Sequence, residues 1–217
     1  METKSTLTFK RIIITSVLFF CIPLISYLFD TIISNITISY SLTISIVSFI
    51  FIIYNWHLFA LHYNRAKKNI GDSIFYTVFG VLVIGLLTFL NQKYIHGYLL
   101  LADVETLKKY QAASLLLIFV YSFSFNFSLT IAYKCVVDRI KFAVSTVQVI
   151  LFSGLFFALL FTIFFVPFNI SLMISSFLYY SLLYIFCSYL YNQSGSLIPS
   201  IIALTIVFGT LNFLMIL

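Results

Sequence analysis

Residues 146–165 read TVQVILFSGLFFALLFTIFF, twenty positions without a charged side chain. A helix needs about 20 mostly apolar residues to cross roughly 30 Å of hydrocarbon, and this run supplies them. Lipid offers no partner to an unpaired backbone N–H or C=O, so a helix is the only conformation that fits so long a run. Similar runs extend on both sides, at about 12–29, 40–62, 73–91, 111–133, 168–191 and 197–217. Together they predict an all-α polytopic transmembrane bundle of about seven spans, the length allowing six to eight.

Composition agrees with that reading. Of 217 residues, 62% are hydrophobic and 8% charged, against about 25% charged in a soluble domain. Residues 1–217 are therefore expected to form a single integral membrane domain, with no room for a soluble catalytic unit. The first run follows Lys4, Lys10 and Arg11, as in a signal peptide. It includes Pro23 but has no small-residue cleavage site before Asp30, so it reads as a retained span.

Charge sets the expected orientation. Lys4, Lys10, Arg11, Arg65, Lys67, Lys68, Lys134, Arg139 and Lys141, nine of the twelve basic residues, fall on one side of an alternating topology. Only Lys93, Lys108 and Lys109 fall on the other. The excess places the N-terminus in the cytoplasm and the C-terminus outside. The net charge of +6 then reflects topology and attraction to anionic lipid, and gives no case for nucleic acid.

Two connections stand out. Residues 91–110 form the longest external segment, with an apolar centre at Leu99–Leu101, readable as an interfacial helix or as a loop folded on the bundle's rim. Residues 134–148 mix apolar positions with Lys134, Asp138, Arg139 and Lys141 and read as a cytoplasmic amphipathic elbow. Cys21, Cys135 and Cys187 are scattered and odd in number, which fits neither a disulfide framework nor a metal site. Cys135, beside Lys134, reads as a plain interfacial cysteine. The N-x-[ST] patterns at Asn35, Asn126 and Asn169 are weak, since Asn126 falls inside a span.

The spans carry no Asp, Glu, Lys or Arg away from their ends. Ionisable groups inside a membrane mark function because they are costly there. Their absence removes the groups that proton-coupled transport or metal-assisted hydrolysis would use. His57 and His62 are five residues apart, about 140° around a helix, and so face different ways. His96 lies in the external segment without a clustered carboxylate. The interior instead offers Ser122, Ser124, Ser128, Thr130, Ser153, Thr205 and Thr210 with Asn126 and Asn212, residue types that act as packing glue or line a polar track.

The C-terminal half also carries two phrases with a likeness elsewhere: SGSLIPSIIAL at 194–204 and FSGLFFALLF at 152–161. They resemble the CPBP intramembrane proteases, also called the CAAX-protease or Abi family. Members carry Glu-Glu-x-x-x-Arg, Phe-x-x-x-His and His-x-x-x-Asn or Asp on three helices. The last two motifs are framed by phrases like "tGSLxpsIlaH" and "iSsllFallH". The resemblance covers about residues 111–215; residues 1–110, the N-terminal spans and the external loop, match only in being hydrophobic.

Carried over residue by residue, the paired glutamates fall near Ser128 and Leu129 and the arginine near Tyr133. The second motif keeps its Phe as Phe157 while its His falls on Phe161. The third motif's His and Asn fall on Leu204 and Phe208. The family fold implies that acids and histidines activate water, with or without a metal, to cleave peptides inside the membrane. Here Leu, Phe and Ser replace the ligands and the general base, so no catalytic residue, cofactor or metal is expected.

The resemblance thus implies a non-catalytic Abi-like membrane protein. It would serve as a scaffold, regulator or immunity-type partner of another membrane or cell-envelope protein. Two rivals remain open at this point: a protease using His57, His62 and Asp138, and a small transporter or flippase component with a Ser/Thr/Asn track.

Overall fold

The computed structural model describes residues 9–100, 112–140 and 145–214, and among these every regular element is a helix. α1 (Phe9–Phe20) and α2 (Ile22–Ile33) meet at Cys21 with a bend of 44°. Pro23 sits in the first turn of α2, where a missing N–H is harmless, whereas mid-helix it would break the ladder. The straight helix expected over 12–29 is therefore a bent pair reaching Ile33.

α3 (Ile36–Tyr54) starts at Asn35, whose side chain accepts a hydrogen bond from the Ile38 N–H. It stops at Asn55, a buried residue whose Nδ2 donates to Thr15 Oγ1 at 3.3 Å. α4 (Trp56–Lys68) follows after that single residue, ending in Arg65, Lys67 and Lys68. The single span expected over 40–62 is thus corrected to two helices. The apolar run continues past Asn55, so hydropathy could not register the break.

α5 (Ile70–Leu90) runs on through a π-helical turn, Asn91–Ile95, and ends at His96 in the left-handed region with φ 56°. The Asn91 amide then clamps Gly97, accepting from its N–H at 2.9 Å and donating to its carbonyl at 3.1 Å. A Cβ at Gly97 would come within 3.0 Å of the Ser175 carbonyl, so glycine is needed for this approach. The Tyr98 N–H donates to Ser176 Oγ at 2.8 Å, and Leu100 is buried. Residues 96–100 are therefore a non-helical segment folded onto the bundle; the remainder of the 91–110 stretch lies outside the described residues.

α6 (Ala112–Ile140), with 29 residues, is the central helix and packs against α1, α3 and two helices that follow it. These are α7 (Thr146–Phe165) and α9 (Ile198–Leu214), with α8 (Ile170–Ser194) between them. From Tyr121 to Lys134 only Phe123 is exposed. The elbow expected from residue 134 is instead helix through Ile140, and Lys134 is buried rather than interfacial. Ser145 and Gln148 close a capping box at the start of α7, and Asn169 caps α8 by accepting from the Leu172 N–H. Gly195, with φ 64°, ends α8 in the conformation glycine adopts most freely. α7 and α8 approach closely at Gly154, where a Cβ would lie 2.7 Å from the Ile185 nitrogen.

α3 reveals the surroundings these helices fit. It buries Thr37, Ser39, Ser41, Thr43 and Ser48 and exposes Ile36, Leu42, Ile46, Phe49 and Ile53. Its buried face also holds Ile44, Val47 and Phe51, but a helix that turns most of its hydroxyls inward and leaves large apolar side chains outside would be unfavourable in water and suits lipid. Among the described residues four helices are long and apolar enough to cross a membrane: Ile36–Tyr54, Ile70–Ile95, Thr146–Phe165 and Ile170–Ser194. Taken together as one span, the bent pair of α1 and α2 brings the number to five.

Candidate functional site

Ser128 and Leu129 are consecutive on α6 and so point about 100° apart. Ser128 turns toward α3, where its hydroxyl lies 2.7 Å from Ser48 Oγ. Ser48 in turn donates to the Ser124 carbonyl at 2.6 Å. Leu129 turns the other way and, with Tyr133 and Leu204, walls an internal pocket of about 10 Å³. That is room for about one water. Thr130, Tyr184, Cys187, Tyr191, Leu197 and Ser200 complete its lining.

Behind this pocket the rings close up. The Tyr133 hydroxyl donates to the Tyr184 carbonyl at 2.9 Å and lies 3.2 Å from Ser153 Oγ. Phe157 meets Tyr133 and Tyr184 edge to face at 5.3 and 4.9 Å between centroids. Phe161 lies 4.2 Å from Tyr180 and stacks on Phe165 at 4.6 Å. Such pairs add about 0.5–1.5 kcal/mol each beyond the area they bury. Five of the seven positions singled out in the sequence therefore adjoin one another: Leu129, Tyr133 and Leu204 at the pocket, Phe157 and Phe161 behind it. Ser128 belongs to the α3 seam. Phe208 lies one turn along α9 from Leu204, outside the pocket lining, its carbonyl accepting from Asn212 Nδ2.

No family model, no curated protein and no solved structure matches this chain. The chemistry of the site must therefore be read from its own residues. Its walls offer hydroxyls and rings but no carboxylate or imidazole. Among the described residues no group of three or more His, Cys, Asp or Glu is placed to hold a metal ion.

The histidines of α4 separate as their spacing implies. His57 is exposed, while His62 is 2% exposed and meets the Tyr191 ring edge-on at 5.7 Å. Lys134 Nζ lies 4.2 Å over the same ring from the other side of the cluster. α4 is outside the apolar spans, and burial, helped by Lys134 and Arg65, holds the His62 imidazole down to about 3. It is neutral at ordinary pH and is not brought together with His57. The Asp138 and Cys135 side chains lie outside the described set.

The hydroxyls and amides form bonds mainly along their own helices. Asn126 Nδ2 donates to the Ser122 carbonyl and Thr130 Oγ1 to the Asn126 carbonyl, both at 2.7 Å. Thr205 and Thr210 bond the Ile201 and Ile206 carbonyls in the same way. Other bonds cross between helices, among them Ser48 with Ser128, Ser153 with Ser188 at 3.1 Å, Thr88 with Tyr179 at 3.0 Å and Asn212 Nδ2 with Ser122 Oγ at 3.5 Å. This is the arrangement of packing glue. Sequence reasoning missed Tyr184, the hub of the ring cluster. Its signal was present in the spacing of four shared by Tyr180 and Tyr184 and by Phe157, Phe161 and Phe165.

Proposed function

We propose that this chain is a non-catalytic membrane bundle of the CPBP or Abi type that acts by holding another membrane or cell-envelope protein in the bilayer. One observation carries the reading. Of the positions that would bear the family's acids, arginine and histidines, Leu129, Tyr133 and Leu204 line a space of about 10 Å³ and Phe161 is packed among rings behind it. A peptide cannot enter such a space, and no general base lines it. What the molecule offers instead is apolar surface, including Phe152, Phe156 and Ile163 on α7 and Leu82, Leu86 and Phe89 on α5. A partner's transmembrane helix can pack there by shape alone.

The seven-span topology, with a cytoplasmic N-terminus and an external C-terminus, belongs to the same proposal. At 1.5 Å per residue the 29 residues of α6 reach about 43 Å and the 17 of α9 about 26 Å, enough to add two crossings. The orientation draws support from contacts at one end of the bundle. There Ser196 Oγ donates to the His62 carbonyl and Lys134 covers Tyr191, so the basic end of α4 lies beside the basic end of α6. Lys93 follows α5 at its opposite end.

Photo-crosslinking in native membranes tests the function. Probes at Phe152 and Phe156 should capture one defined envelope protein, and that protein, tagged, should recover this chain in return. A chain that stays uncrosslinked and purifies alone would contradict the proposal. The protease rival predicts instead that replacing both histidines alters the cellular phenotype.

A further inference from the structure

A groove of about 320 Å³ opens between α4, α5 and α9, and the geometry points to an anionic phospholipid as its occupant. Its walls are Ile70, Ile74 and Val78, one ridge of α5 at a spacing of four, facing Ile198 and Ile202 of α9. The ridge runs about 12 Å along the helix axis. Ser73 and Thr77 lie between these residues but present no unmet polar group. Ser73 Oγ donates to the Ala66 carbonyl and Thr77 Oγ1 to the Ser73 carbonyl. The floor is therefore apolar in effect and suits a hydrocarbon chain.

The mouth has the opposite character. Lys67 and Tyr63, both exposed, line the groove at the end of α4, and Lys67 is the one basic residue in its lining. Asp72, the one acid nearby in sequence, is not part of the lining. Since α5 is an apolar spanning helix beginning at Ile70, Lys67 sits at a membrane surface, level with phosphate headgroups. An acyl chain along the isoleucines would place its phosphate at the lysine.

Charge separates this occupant from an apolar partner helix, because the exposed Lys67 lines the groove where the phosphate of a lipid headgroup would lie. The inference does not depend on the family reading or on the protein partner.

Native mass spectrometry of the full chain in mild detergent tests it, with phosphatidylglycerol, phosphatidylcholine of identical chains, and inorganic phosphate as separate probes. Phosphatidylglycerol should bind about fivefold more tightly than phosphatidylcholine, the gain expected of one lysine beside a headgroup whose negative charge no choline offsets. Lys67→Gln should abolish that preference, while Lys93→Gln, at the far end of α5, should keep it. Ile74→Trp, filling the groove from an exposed position, should weaken both lipids. Equal binding of the two lipids, or a Lys67→Gln variant that behaves as wild type, would overturn the assignment. So would displacement by phosphate alone with Ile74→Trp unaffected, which marks an anion site only. A protein crosslinking at Ile74 with no lipid retained would give the groove to a partner helix instead.

Discussion

Two interior regions of the same helix, α6, are built on different principles. Toward α7 and α8 it packs rings, with Tyr133 set among Phe157, Tyr184 and, one layer on, Phe161. Toward α3 it packs hydroxyls, with Ser124 and Ser128 against Ser48. In water, burying the rings would drive folding and burying the hydroxyls would oppose it. In lipid that drive is largely gone, because the acyl chains solvate a Phe as well as the core does. The rings then stabilise by filling space and the hydroxyls by fixing which residues meet.

This contrast gives a ranked set of outcomes for reversible unfolding in detergent or bicelles. Phe161→Ala opens a void among four aromatic neighbours with no room to collapse. It should cost about 3 kcal/mol, the low end for such truncations because the transfer contribution shrinks in lipid. Gly154→Ala places a methyl 2.7 Å from the Ile185 nitrogen and should cost about 1–3 kcal/mol by forcing α7 from α8. Tyr133→Phe keeps the ring and removes the hydroxyl bonded to the Tyr184 carbonyl, for about 1 kcal/mol. Ser48→Ala removes two bonds, to the Ser124 carbonyl and Ser128 Oγ, and should cost about 1 kcal/mol, at about 0.6 for each hydrogen bond between membrane helices. If Ser48→Ala cost more than Phe161→Ala, the division of labour between the two regions would be wrong.

The sequence disclosed the regular parts well. Residues 146–165 coincide with α7, and the run at 168–191 is α8 displaced by two or three residues. These are long apolar runs with clear borders. The breaks were harder to see. Asn55 interrupts a run that stays apolar on both sides, and its side chain bonds Thr15, forty residues away. Pro23 was visible, yet its position in a first turn, and hence the bend at Cys21, depends on where α2 begins. Asn35 and Asn169 attracted notice as weak glycosylation patterns, whereas their side chains are N-caps. At the site, Leu129, Tyr133 and Leu204 line one small pocket. Ser128 does not, since its neighbour Leu129 already takes the pocket-facing direction. The burial of Lys134 over Tyr191 was invisible to a rule that assigns lysines to boundaries.

The most direct test of a sealed, non-catalytic interior uses Cys187, which lines the small pocket and is 4% exposed. With Cys21 and Cys135 replaced by alanine, the full chain in native membranes would be treated with a small water-soluble alkylating reagent and modification of Cys187 followed over time. The sealed site predicts no labelling in the folded protein and rapid labelling once it is unfolded in dodecyl sulfate. Labelling of the folded chain at the rate of an exposed thiol would mean that water reaches the pocket, and would contradict the account.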